Sequence, residues 1–259
     1  MRRQIVFLFL FICFLPFELL CQATADPRAE EILAKAISRL GGERYLKIRT
    51  QVGVGRFAVF KNGVVVSFQS FYDVIVFPDR ERTEFKSGKV RYIQVNTGET
   101  GWVYDGEQDR VKDQTAEQIA SFKNSMRVSL DNFLRRGWAG KAILEYLGKR
   151  PASLGRRNDV LRLKYDDGFT VEFEFADDGT PQKVLYTRTD GESKTNEEDR
   201  YAQWVDIQGL KAPFIIDRFS NGIQTSRINY ESMEFDRPVS DKIFAKPASA
   251  RDARKSMQL

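Results

Sequence analysis

The strongest constraint in this sequence is a long alternation of apolar and polar residues on both sides of a tight-turn signal. Apolar residues recur mostly at alternate positions over residues 48–60 and again over residues 64–76. Asn62-Gly63 separates the two runs, and this dipeptide favours the two-residue turn of a β-hairpin. Each strand has roughly a dozen residues, and strands of that length twist and tend to curl. The pattern predicts a curved antiparallel sheet.

Further alternating segments extend the prediction to about ten strands. The clearest covers residues 169–175, where Phe and Val alternate with Thr and Glu, so Glu172 and Glu174 are expected on the solvent face. A polar loop is predicted over residues 190–199. The other predicted strands lie near residues 83–85, 90–95, 102–104, 161–165, 184–188, 201–207, 214–219 and 223–230.

Two segments have helical periodicity instead. Asp26 can cap the first, Pro27 suits its first turn, and Gly41-Gly42 ends it. The second covers residues 115–147, where Gly137 and Gly140 are expected to divide it in two. A parallel sheet needs a crossover helix between successive strands, and only one internal helical block is present. The fold class is therefore α+β with an antiparallel sheet.

Residues 1–25 have the pattern of a secretory signal peptide. Arg2 and Arg3 precede an apolar run over residues 5–17, and the small residues Ala23 and Ala25 mark a cleavage site after Ala25. The run is shorter than the roughly 20 residues that span a bilayer. We expect export to the periplasm, with one domain over residues 26–247 and a flexible tail over residues 248–259.

The only two cysteines, Cys13 and Cys21, lie within this segment. Cleavage after Ala25 would leave a chain without thiols, which suits an oxidising compartment. Lipidation of Cys21 is an alternative, but the residue before it is Leu20, and lipoprotein processing favours a small residue there.

The composition argues against several classes of chemistry. Histidine is absent, so the usual general base and every histidine-bearing metal site are excluded. The formal net charge is +5, and Lys and Arg are interspersed with Asp and Glu instead of forming a basic stripe for nucleic acid. No acid pair is placed for glycan cleavage, so a carboxylate-dependent glycan hydrolase is the least favoured alternative. We predict no catalytic residue, no metal, no cofactor and no nucleic-acid partner.

Many aromatic residues lie on the predicted inward faces of the strands. A curled sheet cannot press its concave face flat against another sheet, so helices cover these residues or they line a hollow. Helix residues over the hollow either fill it as core or form a movable cover above an apolar pocket, and the sequence leaves both open. The predicted ligand-binding residues are Phe60, Phe68, Tyr72, Phe85, Tyr92, Trp102, Tyr104, Phe173 and Phe175. The predicted cover residues are Ile119, Phe122, Met126, Leu130 and Phe133.

Several short segments, in order along the chain, resemble the LolA/LolB lipoprotein-sorting family. They are FPDRER at 77–82, GETGWVYD at 98–105, FEFADDGTP at 173–181 and SDKIFAKP at 240–247. LGGERYL at 40–46 and GLKAPF at 209–214 are more similar to uncharacterised LolA-like envelope proteins. The resemblance implies a strongly curved antiparallel sheet, an incomplete β-barrel, with helices covering its open concave side.

The same resemblance implies a function. It suggests a monomeric periplasmic carrier or chaperone, not an enzyme, that binds acyl chains of lipoproteins or another lipid and contacts membranes transiently. Dedicated carriers have an arginine directly before the proline that Pro78 matches, whereas this chain has Phe77. Whether Arg80 or Arg82 replaces that arginine is left open by the sequence. The alternative is an envelope protein-interaction or sensor module on the same fold.

Overall fold

One antiparallel sheet of 13 strands organises the chain in the computed structural model, which describes residues 26–259. The signal-peptide prediction and both cysteines lie outside the described residues. The strand order is β6-β5-β4-β3-β2-β1-β13-β12-β11-β10-β9-β8-β7. The strands are β1 Thr50–Lys61, β2 Val64–Val76, β3 Arg80–Ser87, β4 Val90–Thr97, β5 Gly101–Asp105, β6 Arg110–Asp113, β7 Ala142–Pro151, β8 Arg157–Tyr165, β9 Thr170–Phe175, β10 Pro181–Asp190, β11 Ser193–Ile207, β12 Leu210–Ser220 and β13 Ile223–Phe235.

Neighbouring strands in the sheet are also consecutive in sequence, except where β1 pairs with β13. The edge strands β6 and β7 do not pair with each other, so the sheet curls without closing. Two helices occupy the connection between these edges. The helices are α1 Pro27–Leu40, α2 Glu43–Lys47, α3 Ala116–Val128, α4 Leu130–Leu134 and α5 Ala250–Lys255. The predicted fold class, a curved incomplete barrel of antiparallel strands with a few helices, is confirmed.

The concave face is half filled by helices. The side chain of Asp26 caps α1 by accepting from the backbone N–H of Arg28, and five residues of α1 are buried. With α2 and α4, this helix packs on β7 to β10. The shared core includes Leu33, Phe133 and Phe173, each 1% exposed or less.

The convex face has a second core. Val74, Ile93, Val95 and Trp102 from β2, β4 and β5 pack there against Phe244 from the C-terminal segment. The Trp102 indole N–H donates to the Phe244 carbonyl at 2.8 Å. Both faces of this part of the sheet are therefore apolar.

Residues 248–259, which were expected to form a flexible tail, contain the short helix α5 in the structure. Ser249 caps α5, and Ala253 is fully buried on the convex face. Beneath the tail, Arg82 and Glu84 form an ion pair of 2.7 Å with side chains 2% and 0% exposed. The tail is held by apolar packing of Ala250, Ala253 and Met257 and by hydrogen bonds of Ser256 and Gln258 to this buried pair.

Three other local predictions differ from the structure. The helical block over 115–147 ends early, because α3 and α4 stop at Leu134 and β7 begins at Ala142. Most of the predicted loop over 190–199 belongs to β11, where Glu197 pairs with Arg188 of β10 and Asp199 with Arg218 of β12. Glu174 was expected on the solvent face, but its side chain is fully buried. Arg150 and Asn158 compensate the burial by donating to its carboxylate at 2.8 and 2.9 Å.

Candidate ligand-binding cavity

A cavity of about 440 Å³ lies between the helices α3 and α4 and the concave face of the sheet. Strands β1 to β3 form one wall and β11 to β13 form the other. Its apolar surface comes from six residues in particular: Phe57, Phe71, Ile75, Phe85, Ile216 and Ile228. This volume falls within the range of roughly 300–1,000 Å³ that is usual for small-molecule sites.

The packing of α4 explains why only half of the hollow is empty. Phe133 is fully buried, and its ring stacks on Phe173 with centroids 4.0 Å apart. Phe175 and Trp138 flank the same ring at 5.9 and 6.5 Å. In this half of the concave face the aromatic residues fill the interior as core.

The helix α3 closes the other half with much less packing. Thr115 and Gln118 form a reciprocal capping box at its start, and Ser129 ends it while capping α4. Only Phe122 of this helix is buried. Below, "cover" means α3 and α4 together, with α4 as its packed part.

Two ion pairs connect α3 to neighbouring turns. Lys123 pairs with Glu99 in the β4–β5 turn. Arg127 donates to both carboxylate oxygens of Asp167 at 2.8 and 2.7 Å, and its guanidinium lies 4.1 Å from the ring centroid of Tyr165. A second, more open hollow of about 500 Å³ adjoins the cavity between α3 and these turns. The attachment of α3 is therefore mostly polar and near the surface.

The structure brings some of the predicted residues to the cavity. Phe85, Phe122, Met126 and Leu130 line it. Tyr92 lies beside Phe85 on the same face of the sheet but does not line the cavity. Ile119 is partly buried in α3 and also does not line it. Phe173 and Phe175 face the same side, under Phe133.

The remaining predicted residues lie away from the cavity. Tyr72, Trp102 and Tyr104 pack in the convex core. Phe68 is 57% exposed, because residues 64–69 of β2 extend beyond β3 and have no partner there. Phe60 lies at the same end of the hairpin and does not line the cavity.

The predicted cavity residues of β2 lie one position away from the observed ones. A shift of one residue moves every side chain of a strand to the opposite face of the sheet. Along β2, the lining residues are Phe71, Asp73 and Ile75, which alternate with the convex residues Tyr72 and Val74. Both sets contain large apolar side chains, so alternation alone does not indicate which face is concave. A signal for the correct parity exists in Gly53 and Gly55, since small residues in a strand mark places where side chains cross over it.

Close packing supports that interpretation of the glycines. A Cβ atom on Gly53 would lie 2.5 Å from the Tyr230 ring, and one on Gly55 would lie 2.8 Å from the Phe71 ring. Phe71 and Tyr230 meet edge to face over these positions, with centroids 5.2 Å apart. The cavity floor is built on this contact.

The cavity also contains carboxyl groups that sequence reasoning missed. Asp73 and Glu81 line the wall formed by β2 and β3, and the Thr83 hydroxyl lies 2.8 Å from Asp73 Oδ1 and 3.2 Å from Glu81 Oε1. Burial, and then the charge of Glu81, raise the pKa of Asp73 well above its ordinary value. Burial also raises the pKa of Glu81, while Thr83 and Arg218 oppose the shift.

The opposite wall has a more balanced charge. Burial raises the pKa of Asp199, although Arg218 lies 3.8 Å away and opposes the shift. Burial raises the pKa values of Tyr201 and Tyr230, which line the same wall. The indole N–H of Trp204 has no acceptor among residues 26–259. This wall therefore combines aromatic surface with polar groups.

The Phe77 ring lies against an arginine at the end of the cover. The Arg135 guanidinium, at the end of α4, lies 4.1 Å from the Phe77 ring centroid and donates to the carbonyls of Leu46 and Tyr45 at 2.9 Å. In this cation–aromatic contact, Arg135 directly follows α4 of the cover and Phe77 directly follows β2 of the sheet.

Arg80 and Arg82, the two replacements that the sequence left open, have other partners. Arg80 pairs with Asp241 at 2.7 Å, and Arg82 lies in the convex core. Within residues 26–259, no group of three or more Asp and Glu side chains is arranged to hold a metal ion. None of the helices over the same residues is long and apolar enough to span a membrane.

Solved structures share this architecture. No family model and no curated protein matches the sequence. Among the solved structures that match, three have TM-scores between 0.56 and 0.60, and each of these matches covers 84% of this chain and 97% of the other. The fold is therefore an incomplete barrel with a helical cover, as in these solved structures.

The particular neighbours are as follows. A DUF1329 family protein from Desulfovibrio piger has 13% sequence identity and a TM-score of 0.60. A LolA superfamily protein from Nitrosomonas europaea has 17% and 0.57. An outer membrane lipoprotein-sorting protein domain from Vibrio parahaemolyticus has 12% and 0.56. At these identities the likeness shows a shared fold, and it confirms the resemblance at that level.

Proposed function

We propose that this protein is a periplasmic, non-enzymatic carrier that shelters an acyl chain of a lipoprotein or another lipid in the cavity. The observation that carries the proposal is the empty space of about 440 Å³ beside a densely packed core in the same concave face. Interiors are normally close-packed, and a large void costs stability unless a ligand fills it. The fold shared with a lipoprotein-sorting domain supports the same proposal.

The energetics agree with carriage of an alkyl chain. Each buried methylene contributes about 0.8 kcal/mol, so a chain of about 12 carbons gains several kcal/mol after ordering costs. The aromatic and branched residues of the wall provide the apolar surface. Entry and exit would require movement of α3, whose single buried residue is Phe122.

Native mass spectrometry of protein purified without detergent tests carriage directly. We expect a mass excess that denaturation removes and that corresponds to a lipid. A protein that is always free of ligand, and that binds no added amphiphile, would contradict the proposal.

Cross-linking α3 to the β4–β5 turn tests whether the ligand enters and leaves the cavity by movement of α3. Glu99→Cys and Lys123→Cys place thiols across an ion pair of α3, and residues 26–259 contain no other cysteine. A short bis-maleimide should slow uptake of the neutral fluorescent probe N-phenylnaphthylamine by roughly ten-fold or more. Arg56→Cys with Glu231→Cys, an exposed pair between β1 and β13, is the matched control and should leave uptake unchanged.

A further inference from the structure

Two carboxyl groups lie on one wall of the cavity, next to its apolar surface. In the β2–β3 register Asp73 is opposite Thr83, and Glu81 is two residues before Thr83, so all three side chains lie on the concave face. The Thr83 hydroxyl contacts Asp73 Oδ1 at 2.8 Å and Glu81 Oε1 at 3.2 Å. A single hydroxyl therefore bridges the two carboxyl groups.

The number of protons in this bridge is limited. A threonine hydroxyl has one proton to donate, and its oxygen can accept a second hydrogen bond. Both contacts are full hydrogen bonds only when one carboxyl group is itself protonated and donates to Thr83. The geometry thus favours a state in which Asp73 and Glu81 share one proton and one negative charge.

Within the described part of the chain, no cation forms an ion pair with these two carboxyl groups, although the charge of Arg218 lowers the pKa of Glu81 from a greater distance. Among residues 26–259, no lysine or arginine nitrogen lies within 4.0 Å of either carboxyl group. The facing groups are Gln51 on β1, Asp199 on β11, Arg218 on β12 and Tyr230 on β13. The cations that line the cavity are Arg80, Arg135, Lys211 and Arg218. Arg80 pairs with Asp241, Arg135 donates to backbone carbonyls of α2, and Arg218 lies 3.8 Å from Asp199.

Because these carboxyl groups are buried, the lack of an ion-pair partner costs free energy. Asp73 is only 6% exposed, although it lines the cavity. A buried carboxylate costs free energy unless it is paired, and water in an apolar cavity is a poor substitute for a cation. A ligand that brings a positive donor into this space would satisfy acceptors that the protein leaves open. A ligand whose carboxylate lay beside Asp73 and Glu81 would be repelled by them.

We propose that the cavity selects amphiphiles whose polar end is a protonated primary amine, which Asp73 and Glu81 bind while the alkyl chain lies along Phe57, Phe71 and Phe85. This inference rests on the proposed carrier function and specifies the ligand class for it. The amine supplies three donors, and the carboxyl groups accept from it alongside Thr83.

Isothermal titration calorimetry at neutral pH tests the selection with four probes. They are dodecylamine, dodecanol, dodecanoate and butylamine, each below its micelle concentration. We expect dodecylamine to bind roughly ten-fold or more tightly than dodecanoate, with dodecanol between them. Butylamine should not bind measurably, because it lacks the chain.

The isosteric double variant D73N/E81Q assigns the selection to the pair. It should bind dodecylamine and dodecanoate with similar affinity and keep its affinity for dodecanol. The matched control D190N/E192Q removes two exposed carboxylates from the β10–β11 turn and should preserve the preference. Titrations in two buffers of different ionisation enthalpy should show proton release when the amine binds to the unmodified protein, and no release with D73N/E81Q.

Each result decides between distinct claims. If no dodecyl probe binds, the carrier function itself fails. If the probes bind without preference for the amine, or if D73N/E81Q keeps the preference, the carrier function stands and the selection by Asp73 and Glu81 is wrong.

Discussion

The ring of Phe133 stacks on the ring of Phe173, with centroids 4.0 Å apart and planes inclined by 18°. This contact joins α4 to β9 and makes that part of the cover an integral piece of the core. The helix α3 immediately precedes α4 in the chain, but it is held by one buried side chain and two surface ion pairs. The two helices of the cover therefore have different mechanical roles.

Truncation of the two phenylalanines should separate these roles. We expect Phe133→Ala to lower the free energy of unfolding by about 3–5 kcal/mol, because its pocket is closed on all sides. Phe122→Ala should cost clearly less, since Phe122 already borders the empty cavity. Urea denaturation followed by circular dichroism measures both. Equal losses would mean that α3 is packed as firmly as α4.

The buried ion pair of the convex face should be sensitive to the loss of one partner. Arg82→Met leaves Glu84 buried without its cation, and we expect a loss of about 3–5 kcal/mol in unfolding free energy. Arg56→Met breaks an exposed pair with Glu231 and should cost less than about 1 kcal/mol.

A double substitution provides the control for that result. R82M/E84L removes both charges, so it should recover most of the stability lost in R82M. If the double variant is as unstable as R82M, the loss comes from packing or from the hydrogen bonds of the tail, not from an uncompensated charge.

The raised pKa values of Asp73 and Glu81 predict a specific pH dependence of stability. In the unfolded chain these groups lose their protons near the ordinary values of 3.8 and 4.5, whereas in the folded protein they do so at higher pH. Above those ordinary values the folded state binds more protons, so the unfolding free energy falls as pH rises towards the folded pKa values.

The variant D73N/E81Q lacks this dependence. Its stability advantage over the unmodified protein should be small near about pH 4 and should grow as the pH rises towards about 8. Urea denaturation at a series of pH values measures it, with D190N/E192Q as the control that should show no such trend. An advantage independent of pH would contradict the raised pKa values.

Hydrogen exchange should show that α3 opens locally. We expect backbone amides of α3 to exchange faster than those of α1, because α1 buries five residues and α3 buries one. Exchange followed by mass spectrometry compares the two helices within one sample. Equal protection would argue against α3 as the part of the cover that moves.

The sequence predicted the secondary structure best where periodicity was strongest. The hairpin around Asn62-Gly63 and the strand ending at Phe175 both form as expected. It was misleading at β11, whose polar side chains form ion pairs with neighbouring strands, and at the tail, where a short apolar stripe and hydrogen bonds to a buried ion pair hold the chain in place. Four predicted residues, Phe85, Phe122, Met126 and Leu130, line the cavity, whereas Tyr72 and Trp102 were assigned to the wrong face.

The sequence by itself determined that long strands alternate, pair as consecutive hairpins and curl, because these properties depend on local residue order and turn chemistry. Only the tertiary structure decided which of two apolar faces is concave, since the C-terminal segment covers one and the helices cover the other. It also decided where space remains, because Phe133 stacks on Phe173 and fills one half of the concave face, while the other half holds the cavity. Volume is set by contacts between residues distant in sequence, and no local pattern encodes it.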